Sequence, residues 1–236
     1  MHQTTIVSIN QVNKVNKNHY LSLKEMDCYL KTAIEKKQKS FVAGRIACKL
    51  ACLKSIKNLN MMDLEIVNDS EGEFKGRPQL FCKQNVLGKV SITHSKDLAG
   101  ATFDTKENIG IDLEYVCKRN IAFYKFNFTS KEKDIVGKFN SDDFDKVVTL
   151  FWTAKEAMSK AIGIGLRVDA RNFEIDMSFN LLKDFIESDQ EQIVFEGEFS
   201  IDAQAFQLSS RRVVYNNLIY YLTTAKIINN EMGRIQ

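Results

Sequence analysis

Ile109-Gly-Ile-Asp-Leu-Glu114 alternates inward-type and acidic residues with a period of two. On a β-strand successive side chains point to opposite faces, so Ile109, Ile111 and Leu113 would pack inward while Asp112 and Glu114 project together. Two like charges side by side are costly to hold unless water or a cation neutralises them. The pair is therefore read either as a solvated sheet face or as ligands of a hard divalent cation. Mg²⁺ suits the second reading, because it takes oxygen ligands and often bridges one or two carboxylates to phosphate oxygens.

The segments around this stretch have strand and turn character. Val90-Ser-Ile-Thr93 alternates, His94-Ser95 ends it, and Leu98 to Phe103 forms a second strand that Asp104 to Asn108 turns back into Ile109–Glu114. His94 thus stands at a strand end near the acidic strand. Gly72 to Pro78 is loop-like, and Gly76-Arg77-Pro78 holds the one proline of the chain, a fixed bend carrying a guanidinium.

Nearer the N-terminus, Thr4 to Ile9 reads as a strand and Ser22-Leu-Lys-Glu25 as a capping box. A helix starting near Leu23 is expected to run through Lys36, Lys37 and Lys39 and along the apolar stripe Val42, Ile46, Leu50 and Leu53, until Asn58-Leu-Asn60 breaks it. The lysines with Arg45 form either a solvated face or a place for phosphate groups. Thr129-Ser-Lys-Glu132 has the form of a second helix start, with Glu132 as a capping glutamate. A helix from about Asp143 to Ile162 buries Phe151, Ala154, Met158, Ala161 and Ile162, and Gly163 and Gly165 end it. Trp152, Glu156 and Lys160 share an adjoining face, with Lys155 at its border; Glu156 and Lys160 are at the least an i,i+4 ion pair. The remainder, at Phe173–Ile175, Ile193–Phe199, Val213–Tyr215 and Leu218–Leu222, reads as mostly strands. No internal repeat is visible in the sequence.

The composition is that of a globular protein of 236 residues, one large domain or two small ones. No apolar run approaches the roughly 20 residues that span a bilayer. The N-terminus, with His2, Gln3, Asn10 and Asn13, lacks a signal-peptide core, so a cytoplasmic location is expected and no membrane partner. Five cysteines without a Cys-x-x-Cys argue against a disulfide framework or zinc knuckle, and Cys48 and Cys52, four apart, read as buried thiols. A net charge of +3 is too small to indicate a nucleic-acid partner by itself.

Val90-Ser-Ile-Thr-His-Ser95, Ile109-Gly-Ile-Asp-Leu-Glu114 and Phe151-Trp-Thr-Ala-Lys-Glu-Ala-Met-Ser-Lys160, in this order, resemble the signature of the 4′-phosphopantetheinyl transferases. Gly76-Arg77-Pro78 is similar to that family's Gly-Lys-Pro element, with arginine in place of lysine. The length resembles the surfactin-synthetase-activating type rather than the holo-acyl-carrier-protein synthase type of about half the size. That resemblance implies an α+β fold of two similar halves in a pseudo-two-fold arrangement. Each half would be a small, mainly antiparallel sheet with a packed helix, residues 1–110 and 111–236, in a monomer with the site between them.

The implied activity is transfer of the 4′-phosphopantetheine arm of coenzyme A to a serine of an apo acyl, peptidyl or aryl carrier protein, releasing adenosine 3′,5′-bisphosphate. Fatty-acid, polyketide and nonribosomal-peptide carriers all present such a serine. A non-catalytic coenzyme A or carrier-protein binding module of the same fold is the alternative. By the same resemblance Asp112, Glu114 and Glu156 would hold Mg²⁺, with Mn²⁺ as a substitute. Lys160 and Lys155 would bind phosphate, His94 with Thr93 would contact the coenzyme A phosphates, and Arg77, Arg45 and Lys39 are candidates for the nucleotide end. Glu156 or Glu132 would take the serine proton, directly or through a metal-bound water. An exposed apolar strip for the carrier is expected, with Phe123, Tyr124, Phe126 and Phe128 as candidates or else as core.

Overall fold

A computed structural model describes residues 2–12, 14–165 and 167–228. The chain falls into two compact units, Met1–Leu113 and Glu114–Gln236.

The first unit contains β1 (Gln3–Ser8), α1 (Ile9–Val12), α2 (Leu23–Lys31), α3 (Glu35–Ser55), β2 (Leu64–Asn68), β3 (Pro78–Cys82), β4 (Asn85–Ser95) and β5 (Leu98–Asp104). β6 (Ile109–Tyr115) carries the chain across the boundary. The second unit continues with α4 (Ile121–Asn127), α5 (Ser130–Val136), α6 (Ser141–Ile162), β7 (Phe173–Asp176), α7 (Phe179–Glu187), β8 (Gln192–Phe199), β9 (Gln204–Tyr215) and β10 (Leu218–Ile227).

Two five-stranded antiparallel sheets result, ordered β1-β5-β4-β3-β2 and β6-β10-β9-β8-β7. The protein is α+β, and its halves share one sheet topology: a first strand, two short helices, a long helix, then four strands that fold back antiparallel, with α7 inserted after β7 in the second half. In each half the long helix covers the sheet. α3 buries Ala43, Ala47, Ala51, Cys48 and Cys52, and α6 buries Val147, Leu150, Phe151, Ala154 and Met158. Small residues let α3 lie close to its sheet. A Cβ on Gly44 would stand 2.9 Å from a methyl of Ile92, closer than side chains pack. All five cysteines are free, and burial pushes the Cys48 thiol up to about 12 and that of Cys52 up to about 11, so neither is a reactive thiolate.

One expectation is corrected. The chain from Leu23 to Leu53 is two helices, separated by extended residues at Thr32–Ile34. The Thr32 hydroxyl bonds back to the Cys28 carbonyl, and the Gln38 side-chain amide bonds the Thr32 carbonyl. Local side-chain bonds thereby take over backbone groups that a continuous helix would use. α7 was also not expected. The second helix start and the stop at Gly163, which adopts φ 95°, fall where the sequence indicated.

Each half is tied at its centre by one buried carboxylate. In α2, Glu25 caps Ser22 N and accepts from Ile66 N of β2 and from the Lys49 ammonium of α3 at 2.6 Å. In α5, Glu132 caps Thr129 N and accepts from Ile175 N of β7 and from Lys155 of α6 at 2.9 Å. All four side chains are essentially without solvent contact. Burial pulls both lysines below the usual lysine range, and the facing carboxylate pushes back. Removing one partner of such a pair leaves an uncompensated buried charge. Lys155→Met is therefore expected to destabilise the second half by about 3–5 kcal/mol, while Lys155→Met with Glu132→Gln recovers most of the loss. Urea unfolding followed by the fluorescence of Trp152, the single tryptophan, whose ring centre lies 4.6 Å from that of Phe123, reads this directly.

Candidate functional site

The N-terminal half of α3 and the ends of β3 and β4 enclose a pocket of about 850 Å³. Lys36, Lys37, Phe41, Arg45, His94 and Lys96 line it, and none of its described lining residues is acidic. Its chemistry follows from that inventory. Four permanent cations and an imidazole on one concave surface attract an anion of high charge, and Phe41 offers a flat apolar face. Arg45 lies over the Phe41 ring at 4.5 Å and donates to Asn68 Oδ1 at 3.2 Å, which fixes the guanidinium at the pocket wall.

The expected nucleotide contacts divide. Arg45 and His94 line the pocket; Lys39, Arg77 and Thr93 do not. Lys39 pairs with Glu35 at 2.6 Å. Arg77 donates to Asn108 Oδ1 at 2.9 Å and stacks on Phe74. Lys36, Lys37 and Lys96 line it instead. The run Glu35-Lys-Lys-Gln-Lys39 signalled the cluster, but only the helix phase decides which lysines turn inward.

Thr93 has a different task. Its hydroxyl donates to Asp112 Oδ1 at 2.9 Å and accepts from Leu113 N at 3.1 Å, while Ser91 Oγ accepts from Ile111 N at 3.2 Å. The two hydroxyls of β4 thus hold β6 where no strand of that sheet pairs with it, and one of them orients the buried carboxylate of Asp112. Glu114, two residues on, is half-buried and pairs with Arg119 at 3.6 Å. A hard cation fits this donor set, since both groups are carboxylates and Mg²⁺ is commonly held by one or two carboxylates with water and substrate oxygens completing the shell. Among the described residues no three Asp, Glu, His or Cys side chains form a ready-made metal cage.

On α6, every residue from Val147 to Ala161 is buried except Trp152, Glu156 and Lys160. Spaced by four, these form one half-exposed stripe of ring, acid and base. Lys155 and Glu132, expected to bind phosphate and to act as a base, lie elsewhere. The Lys155 ammonium is used on Glu132, Ala170 O and Phe173 O, matching its three donors, and both Glu132 oxygens already accept hydrogen bonds. They are parts of the core. Of the apolar strip candidates, Phe128 is core, Phe123 and Tyr124 are half-buried against it, and Phe126 is exposed, with Ile121 also outward on α4.

A family profile of the 4′-phosphopantetheinyl transferase superfamily matches residues 108–207. That segment begins at β6 and ends in β9. The chain is 30% identical over 99 residues to the 4′-phosphopantetheinyl transferase HetI of Nostoc sp., covering 40% of this chain and 41% of that protein. It is 39% identical over 66 residues to the holo-[acyl-carrier-protein] synthase of Bacillus cytotoxicus, covering 26% and 52%. The matches thus span about two fifths to one half of these relatives. A solved holo-(acyl-carrier-protein) synthase of Bacillus anthracis, in complex with coenzyme A (3′,5′-ADP), aligns with a TM-score of 0.38 at 26% identity over 43% of this chain and 91% of that one.

Thr93→Val keeps the shape of the side chain and removes both hydrogen bonds at Asp112 and Leu113. A stability loss of about 1–3 kcal/mol is expected, read as a lower urea midpoint at unchanged slope.

Proposed function

We propose that the protein transfers the 4′-phosphopantetheine arm of coenzyme A to a serine hydroxyl of an apo carrier protein, releasing adenosine 3′,5′-bisphosphate. The observation that carries the reading is the pocket with four cations and no acid among its described lining residues. Coenzyme A brings three phosphate groups and a planar adenine, and such a surface offers guanidinium and ammonium groups to the former and Phe41 to the latter. The profile match over residues 108–207 and the named relatives support the same chemistry. The two-half organisation favours the surfactin-synthetase-activating type within that family.

Lys36, Lys37, Arg45, His94 and Lys96 bind the nucleotide phosphates. Asp112 and Glu114, with Glu156, would hold Mg²⁺, whose charge would offset that building up on the 5′-phosphate of the departing adenosine 3′,5′-bisphosphate. Thr93 keeps the Asp112 carboxylate in one orientation. Lys160 supplies positive charge to the transferring phosphate. Glu156 accepts the proton of the attacking serine, because Glu132 is without solvent contact and is bound inside the core to Thr129 N, Ile175 N and Lys155. The exposed Ile121 and Phe126 of α4 offer the carrier an apolar contact.

Mass spectrometry of apo carrier proteins incubated with coenzyme A and Mg²⁺ is expected to show the added pantetheine arm, and omission of the metal to abolish it. Asp112→Ala should remove turnover, by at least about 100-fold, with an unchanged circular dichroism spectrum. Lys37→Ala should raise the KM for coenzyme A several-fold with little change in kcat, which Lys39→Ala should not do. No mass gain on any carrier, with intact coenzyme A, would overturn the reading.

A further inference from the structure

Each half uses a buried carboxylate in the same way, but the two differ at one matching position of the long helix. In the second half, the position four before Lys155 on α6 is Phe151, fully buried in the core. In the first half, the position four before Lys49 on α3 is Arg45. Residues four apart on a helix lie on one face, so Arg45 shares the face that Lys49 turns toward Glu25.

The distances bear this out. Glu25 Oε2 accepts from Lys49 at 2.6 Å and from Ser22 N at 2.8 Å. Oε1 accepts from Ile66 N at 3.0 Å and stands 3.8 Å from Arg45 Nε. The Arg45 side chain is 12% exposed, and its Nε is buried without a hydrogen-bond partner among the described residues. The guanidinium is therefore held by the Glu25 charge, by Asn68 Oδ1 and over the ring of Phe41, in a residue that lines the pocket. Lys49 alone already neutralises Glu25 as Lys155 does Glu132. The second cation is an addition peculiar to the half that holds the basic pocket.

We infer that Glu25 is a positioning residue for the anion pocket: its buried carboxylate orients Arg45 toward the phosphates of coenzyme A. The inference rests on the transferase reading and adds to it a residue that touches no substrate. An arginine held by three groups presents its fork already aimed, so less conformational freedom is lost when a phosphate arrives. In a structural role only, Glu25 would affect stability and leave phosphate affinity alone.

Calorimetry of the full chain with coenzyme A and with adenosine 3′,5′-bisphosphate separates the two. Glu25→Gln is expected to weaken both affinities roughly tenfold, and Arg45→Gln by at least as much. The Glu25→Gln/Arg45→Gln double variant should bind no more weakly than Arg45→Gln alone, since Glu25 acts through that side chain. Glu25→Gln leaves Lys49 buried and unpaired, so Glu25→Gln/Lys49→Met, which removes both charges, carries the measurement if the single variant unfolds. It is expected to regain the thermal midpoint but not the affinity. Wild-type affinity in that variant, or additive losses in the cycle with Arg45, would overturn the positioning role and leave the transferase reading standing. If the wild-type chain binds neither probe, both fall together.

Discussion

A carboxylate buried at the start of a short helix is the constraint on which each half depends. Glu25 and Glu132 each do three things at once: they cap their own helix, pair with a lysine from the middle of the long helix, and accept the amide of the sheet's edge strand. Such a pair adds little net stability, because desolvation offsets most of the attraction. What it contributes is selection among arrangements. Only one rotation of α3 or α6 about its axis brings the lysine to the carboxylate, and any other leaves two buried charges apart.

Once that rotation is set, the directions of the other side chains on the long helices are set too. α3 turns Lys36, Lys37, Phe41 and Arg45 to the pocket, and α6 leaves Trp152, Glu156 and Lys160 as a half-exposed stripe. The same frame thus presents cations and a ring from one half, and a ring, an acid and a base from the other. The proposed division of labour between nucleotide binding and proton transfer grows from this difference in outward residues on a shared scaffold. The exchange of Phe151 for Arg45 at matching places is the point where the frame itself reaches into the pocket.

Much of the fold was legible because it is written in local chemistry. Both capping boxes, the alternation in β6, the four-residue stripe of α6 and the glycine that ends it involve residues within a few positions of each other. The helix break at Thr32 was missed because a periodic apolar stripe continued past it, while the bonds that favour the break come from one hydroxyl and one amide. The 100° steps of the helix set Lys155 only at the border of the exposed face, so its direction is not legible in the sequence. A long side chain at a border goes to the partner it finds, and its partner lies on another helix. The internal repeat was invisible for a related reason: the halves share the spacing of a few buried residues, not a run of identities.

In the sequence alone lay the two-acid strand, the spacing of the three motifs and the positions of the helix starts, since each depends on backbone hydrogen bonds and side-chain periodicity over a few residues. Tertiary structure decided which charges are spent inside the protein and which face outward. Glu25 meets the amide of Ile66 across 41 positions and Glu132 meets that of Ile175 across 43, separations at which no local pattern signals a contact. A charge buried against its partner and a charge facing solvent are the same letter in the chain. The difference between them is the dielectric around each, and only packing creates that.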